Sequence, residues 1–211
     1  MDLAAVLWDL DGTLIDSEPL WMAGEHALAE EHGATWTQED GLALVGNSLI
    51  ESGHYIKRRL VSGLEPEEIV DYLVNRLASD LERDIPWRPG AQDLVKALDA
   101  EGVPQALVTM SYAPIAQPVT AALPFSAVVT GDQVEHGKPH PEPYLRAAEL
   151  LGVDPADCLA VEDSGTGATS ANAAGCHVLV VPHFVNVPEA PRRVERTSLE
   201  LLTPADLRAL F

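Results

Sequence analysis

Short apolar segments that lack polar alternation constrain the fold of this chain more than any other feature of its sequence. Five such segments are rich in Val, Leu and Ala and are four or five residues long: residues 4–8, 105–109, 127–130, 158–161 and 177–181. Strands buried on both faces of a parallel sheet have this composition, whereas strands with one solvated face alternate apolar and polar residues. The segments therefore predict five strands of a parallel sheet.

Helical segments separate the predicted strands. After residue 90 they cover residues 91–101, 141–151, about 166–175 and 204–210. The first two end at Gly102 and Gly152, in agreement with the frequent use of glycine after the last helical residue. Repeated strand–helix units with short connections predict an α/β fold with a doubly wound, Rossmann-like parallel sheet.

The first crossover departs from this pattern, because no second strand candidate occurs before residue 105. The interval contains three predicted helices, over residues 18–31, 49–60 and 67–81. One crossover rarely needs three helices. We therefore interpret residues 17–86 as an inserted α-helical cap domain and residues 1–16 and 87–211 as the α/β core. The alternative is that these helices simply cover the sheet.

The charge of the chain excludes one class of partner. It has 33 acidic and 13 basic side chains, a formal net charge of −20, and its longest basic run is residues 57–59 (KRR). Such a molecule repels phosphate backbones, so we expect no nucleic-acid partner. No apolar run approaches the roughly 18 residues of a membrane span, so no membrane association is expected.

Cysteine content and the N-terminal residues bear on the compartment. Two cysteines are too few for a disulfide framework. The first residues lack the basic segment of a signal peptide. We therefore expect a cytoplasmic protein, and we expect a monomer because the sequence has no coiled-coil repeat and no spare amphipathic helix.

Acidic and polar side chains follow the predicted strands where each strand ends. They are Asp9, Asp11, Gly12 and Thr13 after the first, Thr109, Met110 and Ser111 after the second, Thr130 to Lys138 after the third, and Glu162, Asp163 and Ser164 after the fourth. Ligands of open α/β sheets bind outside the carboxyl ends of the strands. We therefore expect these side chains to meet at one edge of the sheet.

The four acids that follow the first and fourth strands cannot all be ionised at close range unless a cation lies among them. Carboxylate oxygens are the ligands that Mg²⁺ prefers. A single acid after a strand most often caps a helix, but Asp9, Asp11 and Asp163 follow two different strands. The grouping predicts a Mg²⁺ site.

Lys138 is one of only three lysines in the chain, and it lies in a loop between Gly137 and Pro139. An ammonium group beside a carboxylate–magnesium centre can neutralise a phosphate oxygen. The hydroxyl of Thr109 and the backbone N–H groups near Met110 can add hydrogen bonds to the same anion. Since the molecule as a whole repels anions, a phosphate group must be captured by such local contacts.

Four short motifs occur in order, each after a predicted strand. They are DLDGTL at 9–14, VTMS at 108–111, GKPHPEPY at 137–144 and VEDS at 161–164. Together they resemble the motifs of the haloacid dehalogenase (HAD) superfamily of phosphohydrolases over essentially the whole chain. The inserted helices resemble the cap of its β-phosphoglucomutase-like branch. Residues 16–21 (DSEPLW) are similar to the corresponding segment of phosphatases that act on hexitol phosphates and 2-deoxyhexose 6-phosphates.

The resemblance implies a phosphatase of small, sugar-type phosphate esters. Asp9 would attack phosphorus and form an aspartyl-phosphate. Asp11 would protonate the leaving alkoxide and then act as base on the hydrolytic water. Mg²⁺ would be bound by Asp9, the backbone carbonyl of Asp11 and Asp163, with Glu162 bound directly or through water.

The resemblance also implies phosphate ligands and specificity residues. Thr109, the backbone N–H of Met110 and Lys138 would hold the phosphoryl oxygens. The leaving group would face cap residues, for which the candidates are Glu18, Trp21, Gly46, Asn47 and Ser48. Residues 46–48 could equally form a turn that caps the following helix.

Two alternatives stay open from the sequence. The first is a β-phosphoglucomutase-type phosphotransferase, although mutase relatives carry a cap histidine about where Trp21 falls and an arginine near Leu49. The second, from a different class, is a non-catalytic phosphate-binding or receiver-like domain. The presence of both Asp9 and Asp11 argues against it, as does the helical insertion in the first crossover.

Overall fold

A six-stranded sheet forms the centre of the computed structural model, which describes residues 3–44, 48–60, 63–183 and 185–210. The strands are β1 (Ala5–Trp8), β2 (Gln105–Val108), β3 (Ala127–Val129), β4 (Cys158–Glu162), β5 (His177–Val180) and β6 (Arg193–Glu195). Their order is β3-β2-β1-β4-β5-β6, and all neighbours are parallel. The chain order reverses at β1, so the crevice where ligands bind such sheets lies at the carboxyl ends of β1 and β4.

Helices cover both faces of the sheet and fill the first crossover. They are α1 (Glu18–Glu31), α2 (Gln38–Leu42), α3 (Leu49–Leu60), α4 (Pro66–Arg83), α5 (Ala91–Ala100), α6 (Ala113–Ala122), α7 (Glu142–Leu151), α8 (Gly165–Ala174) and α9 (Pro204–Arg208). Successive strand residues enter two different apolar clusters: Val6 and Trp8 belong to one, Ala5 and Leu7 to the other. Burial on both faces explains the missing polar alternation.

The predicted fold class is confirmed, and the differences concern weak local signals. All five predicted strands are present. The sixth strand, β6, was not predicted because it has three residues and two of them, Arg193 and Glu195, are charged. Helix α6 was not predicted either, since it contains Pro114 and Pro118, and proline opposes helix formation at interior positions.

The inserted region has an apolar cluster of its own, formed by residues of α1, α3 and α4 together with Trp36 and Leu44 on either side of α2. Helix α4 is shared between this cluster and the core. Ile69 and Leu73 pack with the other inserted helices, whereas Val70, Val74, Leu77 and Leu81 belong to the cluster that contains β1. The same helix packs against α6. The inserted helices are therefore joined to the sheet by a continuous apolar contact.

The two chain passages between these helices and the sheet are hydrogen-bonded to each other. The backbone N–H of Asp16 donates to the carbonyl of Pro86 at 2.8 Å, and that of Arg88 donates to Leu14 at 2.8 Å. Ile15 and Trp87 form an antiparallel bridge between these bonds. Within the described residues, no helix is both long enough and apolar enough for a bilayer crossing.

Candidate active site

The end of β1 places Asp9 and the turn after it against β4. The backbone N–H of Asp9 still donates to the carbonyl of Val161, at 3.0 Å. Gly12 follows in a left-handed conformation (φ +84°), and a Cβ there would lie 2.1 Å from Oδ2 of Asp163. Glycine at position 12 therefore permits both the turn and the approach of the Asp163 carboxylate.

Lys138 reaches this edge from the loop before α7. Its ammonium donates to Asp9 Oδ1 at 2.7 Å, to Glu162 Oε1 at 2.6 Å and to the carbonyl of Val108 at 2.9 Å. Its side chain is 5% exposed. Burial alone would lower the pKa of Lys138, but the charges of Asp9 and Glu162 outweigh it and raise the pKa above the ordinary value. The ammonium is therefore charged at neutral pH.

Three acids at the ends of β1 and β4 lie close enough to hold one cation. Asp9, Glu162 and Asp163 each offer an oxygen within 4.8 Å of the others. Burial, followed by the charge of Glu162, raises the pKa of Asp9 from 3.8 to about 7. Burial, followed by the charge of Asp9, raises the pKa of Asp163 to about 9. A divalent cation would relieve this repulsion.

The free oxygen of Asp9 provides a test of that fit. Oδ2 of Asp9 is buried and has no hydrogen-bond partner among the described residues. A buried carboxylate oxygen without a partner is costly unless a ligand completes it. The donor set consists of carboxylates, which suits a hard cation such as Mg²⁺.

Glu162, a predicted metal ligand, also anchors Lys138. Its Oε1 accepts from Lys138 and from the hydroxyl of Tyr144 at 2.6 Å, and its Oε2 accepts from Ser164 Oγ at 3.1 Å. A Cβ at Gly167 would lie 1.9 Å from Oε1. Ser164 is the N-cap of α8 and accepts from Gly167 N–H at 3.0 Å. The start of α8 thus holds the Glu162 carboxylate in place.

Asp11 is held by three hydroxyl groups. Ser17 donates to its Oδ1 at 2.7 Å, and Ser111 donates to its Oδ2 at 2.7 Å. Thr109 donates to the same Oδ2 at 3.2 Å and accepts from the Ser111 backbone N–H. The predicted phosphate donor Thr109 therefore directs its hydroxyl at Asp11 in this structure.

Met110 lies beneath the loop that carries Lys138. Its sulfur accepts from the Lys138 backbone N–H at 3.2 Å, and a Cβ at Gly137 would lie 2.8 Å from the same atom. A cavity adjoins the carboxylate cluster, and Met110 lines it together with Asp9 and Asp11. Its side chain supports the lysine loop and narrows the space beside it.

Three of the five predicted cap residues line the same cavity: Glu18, Trp21 and Ser48. Glu18 is half-buried, and its pKa is raised by burial and then by the charge of Asp11. Gly46 and Asn47 lie outside the described residues.

Ser48 also caps α3. Its N–H and its hydroxyl donate to Glu51 Oε2 at 3.1 and 2.7 Å, and its Oγ accepts from the Glu51 N–H at 3.3 Å. This reciprocal arrangement is a capping box. The hydrogen bonds of Ser48 therefore support the interpretation that this position caps helix α3. Its place in the wall of the cavity supports the interpretation that it faces the leaving group.

Four of the residues that contact or line the site had no role assigned from the sequence. Ser17 and Ser111 lie within the segments DSEPLW and VTMS, and Tyr144 ends the GKPHPEPY motif, so these segments were a usable signal. The fourth, Glu25, lines the cavity from α1. It is 6% exposed, and its Oε2 accepts from Trp36 Nε1 at 3.1 Å.

Burial raises the pKa of Glu25 from 4.5 to about 8. The available signal in the sequence was a carboxylate at helical spacing from Leu28 and Ala29, which are on the buried face of α1.

The similarity to known proteins covers both the sheet and the inserted helices. A family profile described as haloacid dehalogenase-like hydrolase matches residues 3–175. Hexitol phosphatase A of Escherichia coli (strain K12) is 35% identical over 201 residues, which is 92% of this chain and 88% of that protein.

Phosphoglycolate phosphatase of Shigella boydii (serotype 4, strain Sb227) is 32% identical over 214 residues, or 90% of this chain and 85% of that protein. Among solved structures, CbbY from Rhodobacter sphaeroides in complex with phosphate has a TM-score of 0.85 and 26% identity. That match covers 97% of this chain and 99% of CbbY.

Proposed function

The chain belongs to the haloacid dehalogenase-like hydrolases, and from that membership we propose that it is a Mg²⁺-dependent phosphatase of sugar-type phosphate monoesters, with an aspartyl-phosphate formed on Asp9. The observation that carries the proposal is the environment of the two oxygens of the Asp9 carboxylate. One of its oxygens accepts from Lys138, and the other is buried without a partner among the described residues. A carboxylate with one oxygen fixed by an ammonium group and the other without a hydrogen bond can receive a phosphoryl group.

Asp9 is the proposed nucleophile. Its carboxylate would form a bond to phosphorus while the bond from phosphorus to the ester oxygen breaks, which divides one difficult hydrolysis into two easier steps. Lys138 touches the same carboxylate and would neutralise negative charge on the transferring group.

Asp11 is the proposed general acid and base. It would give a proton to the departing alkoxide and then take one from the water that attacks the aspartyl-phosphate. The hydroxyls of Ser17 and Ser111, each at 2.7 Å, support this role because they fix the direction of the carboxylate.

The proposed Mg²⁺ ligands are the carboxylates of Asp9 and Asp163 and the backbone carbonyl of Asp11, with Glu162 bound directly or through water. When bound, the ion supplies positive charge beside the phosphoryl oxygens. The raised pKa values of Asp9 and Asp163 support this assignment, since burial and then the neighbouring negative charges disfavour the ionised carboxylates, and a dication would offset both effects.

Lys138 and the backbone N–H of Met110 are the proposed ligands of the phosphoryl oxygens. Thr109 is proposed to join them by exchanging its contact with Asp11, which at 3.2 Å is the longest of the three hydroxyl contacts of that carboxylate.

The leaving group is proposed to be neutral and rich in hydroxyl groups. Glu18 and Glu25 line the cavity on the cap side, beside Ser48 and Trp21. Carboxyl groups accept hydrogen bonds from sugar hydroxyls, and when ionised they repel a leaving group that carries its own carboxylate. We propose residues 17–86 as the cap domain that supplies these contacts, and residues 1–16 and 87–211 as the catalytic core.

The test compares substrates and one conservative variant. The wild-type protein with Mg²⁺ is expected to release phosphate from hexitol and hexose 6-phosphates faster than from phosphoglycolate, and EDTA is expected to abolish release. Asp9→Asn should lose turnover with an unchanged circular dichroism spectrum, while Asp99→Asn, an exposed change on α5, should keep it.

Normal turnover in Asp9→Asn would contradict the assignment of the nucleophile. Conversion of β-glucose 1-phosphate to glucose 6-phosphate without net phosphate release would favour a mutase instead.

A further inference from the structure

A second group of potential metal ligands lies on the outer side of the loop that carries Lys138. It comprises His136, His140 and Glu142, which each offer a ligand atom within 4.8 Å of the others. Nδ1 of His136 is 3.1 Å from Glu142 Oε2, and Nδ1 of His140 is 3.9 Å from the same oxygen. The two imidazole rings lie with centroids 4.7 Å apart and planes inclined by 34°.

The carboxylate of this group is fixed by the backbone. Glu142 is the first residue of α7, and its Oε1 accepts from the backbone N–H of Glu135 at 2.8 Å. Its Oε2 accepts from the backbone N–H of His136 at 2.9 Å. Hydrogen bonds of this kind orient a ligating carboxylate before an ion arrives, which lowers the cost of binding.

The two histidines are accessible from solvent. Their side chains are 57% and 50% exposed for His136 and His140 respectively. An ion can therefore enter directly, and water can complete its coordination. The formal net charge of −20 favours the approach of any cation.

We propose that His136, His140 and Glu142 form a binding site for a transition-metal ion such as Zn²⁺, Ni²⁺ or Cu²⁺, separate from the carboxylate cluster at Asp9. Imidazole nitrogen suits these ions, whereas oxygen-only clusters suit Mg²⁺. Ligand atoms at about 2.1 Å from a tetrahedral ion lie about 3.4 Å from each other. The separations of 3.1 and 3.9 Å lie on either side of that value, and the remaining pair of ligand atoms lies within 4.8 Å. Nδ1 of His140 accepts from the backbone N–H of Glu142 at 3.3 Å, a contact that it would exchange for the ion.

The position of the site gives it a connection with the active site. His136 and His140 lie two residues before and two residues after Lys138, whose ammonium contacts Asp9. An ion bound to both histidines would restrain the outer side of this loop while the inner side presents the lysine.

The experiment uses the untagged chain in excess Mg²⁺, so that the proposed Mg²⁺ site at the carboxylate cluster is saturated. One equivalent of Cu²⁺ is added, and electron paramagnetic resonance records nitrogen hyperfine coupling; Zn²⁺ affinity is measured by calorimetry. The proposal expects one nitrogen-coordinated ion per chain. His136→Ala and His140→Ala should each weaken Zn²⁺ binding about tenfold or more. Replacement of a residue that only hydrogen-bonds to a metal ligand already lowers metal affinity by about that factor.

Two controls separate this site from others. His54→Ala removes an exposed histidine on α3 and should leave Zn²⁺ affinity unchanged, and Asp163→Asn should leave the nitrogen coupling intact. Absence of nitrogen coupling in the wild-type protein would overturn the proposal, as would equal Zn²⁺ affinity in the wild type and both histidine variants. Because these readouts do not depend on phosphate release, they are independent of the proposed phosphatase activity.

Discussion

Single contacts decide how the buried charges at the end of β1 balance. The ammonium of Lys138 contacts the carboxylates of Asp9 and Glu162, and all three side chains are less than a tenth exposed. A buried pair of opposite charges contributes modestly to stability, but the removal of one partner leaves an uncompensated charge. We therefore expect Lys138 to stabilise the fold in the absence of metal.

Replacing that lysine should cost stability. Lys138→Met is expected to lower the free energy of unfolding by about 3 kcal/mol in EDTA, because it leaves Asp9 and Glu162 buried without their cation. Urea denaturation measures this value. The matched control is Lys96→Met on the exposed side of α5, which should change it by less than about 0.5 kcal/mol. Similar losses in the two variants would show that the buried ion pairs are unimportant.

A single cap carboxyl should impose a pH dependence on stability. Burial raises the pKa of Glu25 from 4.5 to about 8. The folded state then holds a proton that the unfolded state releases, so stability falls as pH rises between these values. Glu25→Gln keeps an acceptor for Trp36 Nε1 but cannot ionise, and its stability should fall less over this interval. Thermal unfolding at several pH values in EDTA measures the difference; parallel profiles for wild type and variant would contradict it.

At the scale of elements, the beginnings and ends of regular structure position the site. The carboxyl ends of β1 and β4 bring the acids together, and the first turn of α8 holds Glu162 through Ser164. The close approach of Gly167 to the Glu162 carboxylate leaves no room for a side chain there. The helix start is therefore shaped around a charged residue of the preceding strand.

Two glycines of α8 provide a matched test of this packing. Gly167→Ala would place a methyl group 1.9 Å from Glu162 Oε1, whereas Gly165→Ala would meet only Pro188, at 3.8 Å. Gly167→Ala should destabilise the protein by about 1–3 kcal/mol and reduce phosphate release, because Glu162 can no longer hold Lys138 in place. Gly165→Ala should have little effect on either. Chemical denaturation and steady-state assays measure both effects, and equal stability and activity in the two variants would contradict the prediction.

At the scale of the whole molecule, the inserted helices and the sheet form one connected structure. Helix α4 contributes to both apolar clusters, and the two passages of the chain between the regions are hydrogen-bonded at Asp16 and Arg88. The cavity lies between them, with acids on both its sheet side and its cap side. Part of the acidic excess behind the formal net charge of −20 thus lies where the molecule is proposed to bind a phosphate ester.

Removal of metal should therefore destabilise the molecule most at high pH. In EDTA, burial and then the neighbouring negative charges raise the pKa values of Asp9 (to about 7) and Asp163 (to about 9), so the folded state holds protons that the unfolded state releases. Stability should fall as pH rises from about 4 to about 9. Because binding requires ionised carboxylates, the increase in melting temperature produced by Mg²⁺ should grow over the same range. A Mg²⁺ effect that is constant with pH would contradict the proposed ligands.

Much of this architecture could be predicted from the sequence because the relevant signals are local. Buried strands show uninterrupted apolar runs, and the motifs that follow them name the acids and the lysine. Parallel strands align their carboxyl ends, so residues such as Asp9 and Asp163 must share one edge of the sheet whatever the details of packing. The sequence by itself thus determined the fold class, the family resemblance and the candidate acids.

The tertiary structure decided which atoms meet. Ser111 contacts Asp11 across 100 positions of chain, and Lys138 contacts Asp9 across 129. No local pattern encodes such contacts, because they depend on loop paths and side-chain rotamers that packing selects. The same reason applies to the short edge strand β6 and to the burial of Glu25 against Trp36. In each case a residue acquires its role from neighbours that only the folded chain brings into contact with it.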